Sequence, residues 1–74
     1  MMKINYDKES DALYIRFSDS KYFESDEVKD GFILDLDKYG KVIGLEILKA
    51  SKNLPKESIN KVSFELLSEK PLAK

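Results

Sequence analysis

Apolar and polar residues alternate along most of the chain with the period of two that a half-buried β-strand produces. The first run, Met2 to Tyr6, puts Met2, Ile4 and Tyr6 on one face. Asp7 to Asp11 is polar and reads as a turn. The second run, Ala12 to Ser18, sets Leu13, Ile15 and Phe17 against Ala12, Tyr14 and Arg16. Asp19 to Glu27 is a polar connection holding Tyr22 and Phe23, which either fold back over the core or offer a contact. The third run, Val28 to Asp37, and the fourth, Lys41 to Leu48, flank Lys38-Tyr39-Gly40, where glycine is free to take a positive φ.

A slip of one residue moves every side chain of a strand to the other face, so the apolar sets select the pairing. A loop of Lys8 to Asp11 puts Tyr6 opposite Leu13, Ile4 opposite Ile15 and Met2 opposite Phe17. With Asp37 opposite Val42, Leu36 faces Ile43, Leu34 faces Leu45 and Phe32 faces Ile47. A three-residue loop would instead pair Leu34 with Gly44 and Phe32 with Glu46. The pattern predicts an α+β domain: an antiparallel β-meander of four or five strands, with one C-terminal helix packed on one face. The strands fall at about residues 2–6, 12–18, 28–37 and 41–48.

The apolar side must be covered by residues 49–74, by a second subunit, or by both. Lys49 to Asn53 suits a short helical turn. Asn53 suits the cap of a helix over about residues 55–60, with Pro55 in its first turn. Val62 to Leu66 alternates like a fifth strand over about residues 61–67, and one continuous helix is the alternative. The large apolar residues after Leu48 are Leu54, Ile59, Val62, Phe64, Leu66, Leu67 and Leu72. These few side chains make a thin cover, so a homodimer is expected.

Composition narrows the chemistry. The 74 residues allow one domain, 1–74, of a size that buries only about 60% of its unfolded surface. There is no cysteine and no histidine. That removes disulfides, the usual zinc ligand sets and histidine-activated nucleophiles. No cofactor and no enzyme activity is expected. Thirteen basic residues oppose fourteen acidic ones, and Arg16 is the sole arginine, so nucleic acid is not an expected partner. No apolar run nears the ~20 residues of a membrane span, and residues 1–7 lack the apolar stretch of a signal peptide. A cytoplasmic location is expected.

Asp35 to Glu46 matches the calcium EF-hand loop at its positions 1, 3, 6 and 12. Position 5 is Tyr39, which has no carboxylate, and the flanks have strand rather than helix periodicity. A plain hairpin is therefore expected, with no metal. Asp35, Asp37 and Glu46 share the outer face and form a candidate carboxylate cluster for acid–base or ligand chemistry. Cross-strand charge pairing with Lys3 and Arg16 is the competing explanation. Tyr14, Ile33, Val42 and Leu48 make the outer face half apolar. With Gly44, which leaves room for a close approach, and with Tyr22 and Phe23, they form a candidate contact surface. Scattered surface residues are the competing explanation.

Several of these segments together resemble the domain-of-unknown-function family numbered 2283. They are Tyr6-Asp7, Asp11-Ala12-Leu13-Tyr14-Ile15, Leu34-Asp35-Leu36-Asp37, Gly40, Val42 to Leu48 and Ala50-Ser51. The resemblance spans about Ile4 to Leu54. It implies a small prokaryotic protein, brings no catalytic residues, and implies an antitoxin role with a toxin-like protein partner. The family tends to have an acid before the turn glycine, where this chain has Tyr39. A protein–protein interaction module is the expected function, with a ligand-binding or enzymatic carboxylate site as the alternative.

Overall fold

A computed structural model describes residues 1–67 of the 74. It contains β1 (Lys3–Asp7), β2 (Ala12–Arg16), β3 (Glu24–Lys29), β4 (Phe32–Leu36), β5 (Val42–Ile47) and a short helix, α1 (Ala50–Asn53). The strands form one sheet in the order β1-β2-β5-β4-β3, with every neighbouring pair antiparallel.

The first hairpin pairs as the alternation requires, with Tyr6 opposite Leu13 and Ile4 opposite Ile15. In the second, Leu34 lies opposite Leu45 and Phe32 opposite Ile47, but Leu36 faces Val42 rather than Ile43. The turn explains the difference. Asp37 O accepts from Gly40 N–H at 3.0 Å, and the Asp37 N–H donates to Lys41 O at 3.0 Å. Its Oδ1 also accepts from the N–H groups of Tyr39 and Lys41, each at 2.9 Å. The hairpin thus closes with a three-residue loop, and a β-bulge restores the apolar register by leaving one residue of β5 extra.

Four expectations are corrected. Residues 28–37 are not one strand: β3 ends at Lys29, and Gly31 turns the chain with φ 84° into β4. The strand Glu24–Lys29 was invisible to hydrophobic period because it is an edge strand, exposed along its whole length and guarded by charge. The meander is not sequential, since β2 pairs with β5. Alternation tells which face a residue occupies and is indifferent to which strand lies beside it. The helix expected at 55–60 is a turn, and the helix present is Ala50–Asn53. Leu54 sits extended with ψ 157°, as the residue before a proline is sterically pushed to be. Residues 61–67 form no strand, and Leu72 lies outside the described residues.

The apolar face carries Tyr6, Leu13, Ile47 and Phe32 in one row and Ile4, Ile15, Leu45 and Leu34 in the next. Among the described residues only Ile43, Ile47 and Ala50 are buried apolar residues, and no large side chain is fully buried. Met2, Ile4 and Phe17 are exposed at 52%, 43% and 39%.

One end of the sheet is stitched to α1. Asp11, with φ 55°, accepts Ala50 N–H at its carbonyl (2.9 Å). Its carboxylate accepts Ser51 Oγ (2.7 Å), Ser51 N–H (3.0 Å) and the Tyr6 hydroxyl (2.7 Å). The bonds from Ser51 and Tyr6 hold the Asp11 carboxyl below its ordinary range. Among the described residues no helix is long and apolar enough to cross a membrane.

Candidate functional site

The opposite face gathers most of the candidate residues around Asp35. The ladder sets Arg16, Gly44, Asp35 and Ser25 in one row across β2, β5, β4 and β3. Asn5, Tyr14, Glu46, Ile33 and Glu27 form the row beside it. Asp35 is 5% exposed, although it is a carboxylate on a face expected to be solvated.

The reason is close packing over Gly44. A Cβ there would lie 2.5 Å from the Tyr14 hydroxyl oxygen and 3.0 Å from Cζ. The missing side chain is therefore what lets the Tyr14 ring lie down across β5 toward Asp35. From the other side Ser25 Oγ donates to Asp35 Oδ1 at 2.9 Å. Tyr22 Oη lies 2.8 Å from Ser25 Oγ. Because the single Ser25 hydroxyl hydrogen is committed to Asp35, Tyr22 is the donor in that pair. A chain of bonds thus runs from the β2–β3 connection into the middle of the sheet.

Electrostatics follow from this burial. Glu46 is pushed above its ordinary value first by burial, then by a hydrogen bond to Asp35 and by the negative charge of Asp35. Tyr14 is raised first by burial and then by its hydrogen bond to Asp35. Glu46 therefore keeps its proton to higher pH than an exposed glutamate does. A carboxyl raised in the folded state stabilises while protonated. That contribution is full below the unfolded value of about 4.5 and is lost as pH rises through the raised folded value. Glu46→Gln is accordingly expected to raise the melting temperature at neutral pH. The gain should vanish in acid, where wild-type Glu46 is itself protonated. A difference that does not change with pH, read by thermal denaturation across the carboxylate range, would contradict this shift.

Of the sequence candidates, Tyr14, Ile33, Asp35, Gly44 and Glu46 come together. Asp37 does not join them, because its carboxylate closes the β4–β5 turn. Val42 lies at the bulge and is 42% exposed, and Leu48 follows the end of β5 and is 40% exposed. Tyr22 and Phe23 do not fold back over the core: they are 56% and 61% exposed. With Tyr39, Lys21 and Lys38 they line a cleft of about 410 Å³ that does not include Asp35 or Glu46. Ser25 was missed by sequence reasoning, because a serine in an acidic run is an ordinary surface residue. Asp11 was read as a turn residue and as part of the family resemblance, and its bonds to Ser51 and Tyr6 carry no pattern signal. Among the described residues no group of three His, Cys, Asp or Glu side chains is placed to hold a metal ion.

Comparison with known proteins gives three findings. Residues 3–51 match the family described as "Protein of unknown function (DUF2283)". A Methanosarcina mazei protein named "Putative hypoxanthine phosphoribosyltransferase" is 36% identical over 64 residues, covering 84% of this chain and 51% of that protein. The chain thus spans about half the length of that curated relative. No solved structure matches the chain at a significant level. With its match running from the first strand into α1, the chain belongs to the DUF2283 family.

Proposed function

We propose that this protein is an interaction module that works by contact, and that its first partner is a second copy of itself seated on the apolar face of the sheet. The observation behind this is that the face is complete as a pattern and unfinished as a core. Two full rows of apolar side chains cross four strands, yet no large one is fully buried among the described residues. Strands spaced about 4.8 Å and roughly 17–20 Å long give the four-stranded apolar face about 350 Å² in projection. Two such faces, with the relief of their side chains, reach the ~1,000 Å² that a specific contact requires.

The outer face supports the same reading. The Asp35 carboxylate is buried and accepts the Ser25 hydroxyl, and the Tyr14 ring packs over Gly44 beside it, so these groups tie β2, β3, β4 and β5 together rather than facing a ligand. The alternative of a ligand site or enzyme built on those carboxylates has the weaker support for that reason. Phosphoribosyl transfer, named for the relative, has little support here. Gly31 and Gly40 make turns and Gly44 lies in a strand, so none belongs to a phosphate-cradling loop. A toxin-like protein that takes the apolar face in exchange for the second copy extends the proposal, supported by the family resemblance.

Self-association makes stability depend on concentration. The denaturation midpoint is expected to rise across about a hundredfold increase in protein concentration. Ile4→Lys changes a residue that is 43% exposed in the subunit, so it should keep the strand signal in circular dichroism while abolishing that rise. A wild-type midpoint that does not move with concentration would refute the proposal.

A further inference from the structure

We infer that the segment Lys61–Leu67 is an exchange arm, which leaves its own subunit and docks beside β1 of a second copy. The inference rests on the homodimer reading and names the element that completes it. Val62, Phe64 and Leu66 alternate with Ser63 and Glu65, so an extended arm presents one apolar side and one polar side. Within the subunit that apolar side gains almost nothing: Val62, Phe64 and Leu66 are 62%, 81% and 80% exposed. The segment belongs to no strand. A run of β-forming residues this exposed is a surface waiting for a partner.

Of the two sheet edges, β3 is guarded by Glu24, Asp26 and Glu27, all exposed. The β1 edge holds Lys3 and Asn5 and is flanked by the exposed apolar side chains of Met2 and Ile4. Met2 and Ile4 already form one wall of an apolar cleft of about 410 Å³, with Val62 and Phe64 across from them. The arm therefore lies within reach of the edge it fits without pairing with it. A β1 edge with unpaired backbone groups accepts an added strand, and its single acid, Asp7 at one end, opposes this less than the three acids of β3 do. Area points to a second copy as the occupant. The sheet faces alone bury less than the ~1,600 Å² of a standard interface, and two exchanged arms supply the difference. Exchange of an identical element between copies also keeps the two-fold symmetry.

The absence of cysteine makes a direct test available. Two full-length variants, Met2→Cys and Phe64→Cys, are mixed, refolded together and oxidised. A mixed disulfide between the two chains, identified by mass, is the expected product. Phe64→Lys should weaken self-association about tenfold while the circular dichroism of the subunit stays unchanged. Suppose instead that Met2 and Phe64 cross-link only when both cysteines are on one chain, and Phe64→Lys leaves a dimer intact. The arm then docks on its own subunit, and this inference fails while the homodimer stands. A monomeric wild type would overturn both.

Discussion

Ile47→Ala is expected to leave the chain unable to hold its fold. Ile47 is 5% exposed in the central strand, with Leu13 opposite on one side and Phe32 on the other. Removing its three outer carbons opens a cavity that neither neighbour can close, because each is fixed by its own ladder. Such truncations cost about 2–5 kcal/mol. A core of this size supplies only about 3–5 kcal/mol in total. Val28→Ala, at a residue 55% exposed beside the β3 irregularity, should change stability by no more than about 0.5 kcal/mol. Denaturant titration of both variants at equal concentration decides the matter. A loss below about 1 kcal/mol for Ile47→Ala would mean that the apolar face is not the core.

Gly31→Ala should be the most damaging change at a turn, costing about 2–3 kcal/mol from two additive causes. The first is conformational, since φ at Gly31 is 84° and a side chain there is strained. The second is steric, since a Cβ would lie 2.7 Å from Asn53 Nδ2, which donates to Leu48 O at 2.6 Å. Gly31 is the joint between the two halves of this end of the sheet. Its N–H donates to Glu27 and its carbonyl accepts Leu48 N–H at 2.8 Å. Gly40 provides the control, with φ 82° and open space within 4 Å of where a Cβ would sit. Gly40→Ala should therefore cost only the conformational part, about 1 kcal/mol. In an Asn53→Ala background the cost of Gly31→Ala should fall to the Gly40→Ala level. Equal costs for the two glycines in the wild-type background would show that the Asn53 contact carries no energy.

Faces were legible in the sequence and neighbours were not. Tyr6 against Leu13 and Leu34 against Leu45 follow from hydrophobic alternation, because a wrong register exposes the apolar set. The partner of β2 does not follow, because β4 and β5 carry the same alternation and each could have extended the apolar rows. Glu24–Lys29 was hidden because an edge strand needs no apolar face. The helix was misplaced because the cap signal at Asn53 is also the end signal of Ala50–Asn53, and Pro55 fixes Leu54 in an extended form between the two readings. On the outer face, the placement of Asp35 opposite Gly44 was legible from register alone. That Asp35 would be buried was not, since it depends on Tyr14 lying across Gly44 and on Ser25 arriving from the unrecognised strand.

The central claim is that the apolar face is finished by a second copy, and the mass of the native chain in solution tests it most directly. Sedimentation equilibrium at micromolar concentration is expected to return about twice the 8.5 kDa of one chain. A single ideal species of 8.5 kDa that keeps its strand signal and unfolds cooperatively would contradict the account.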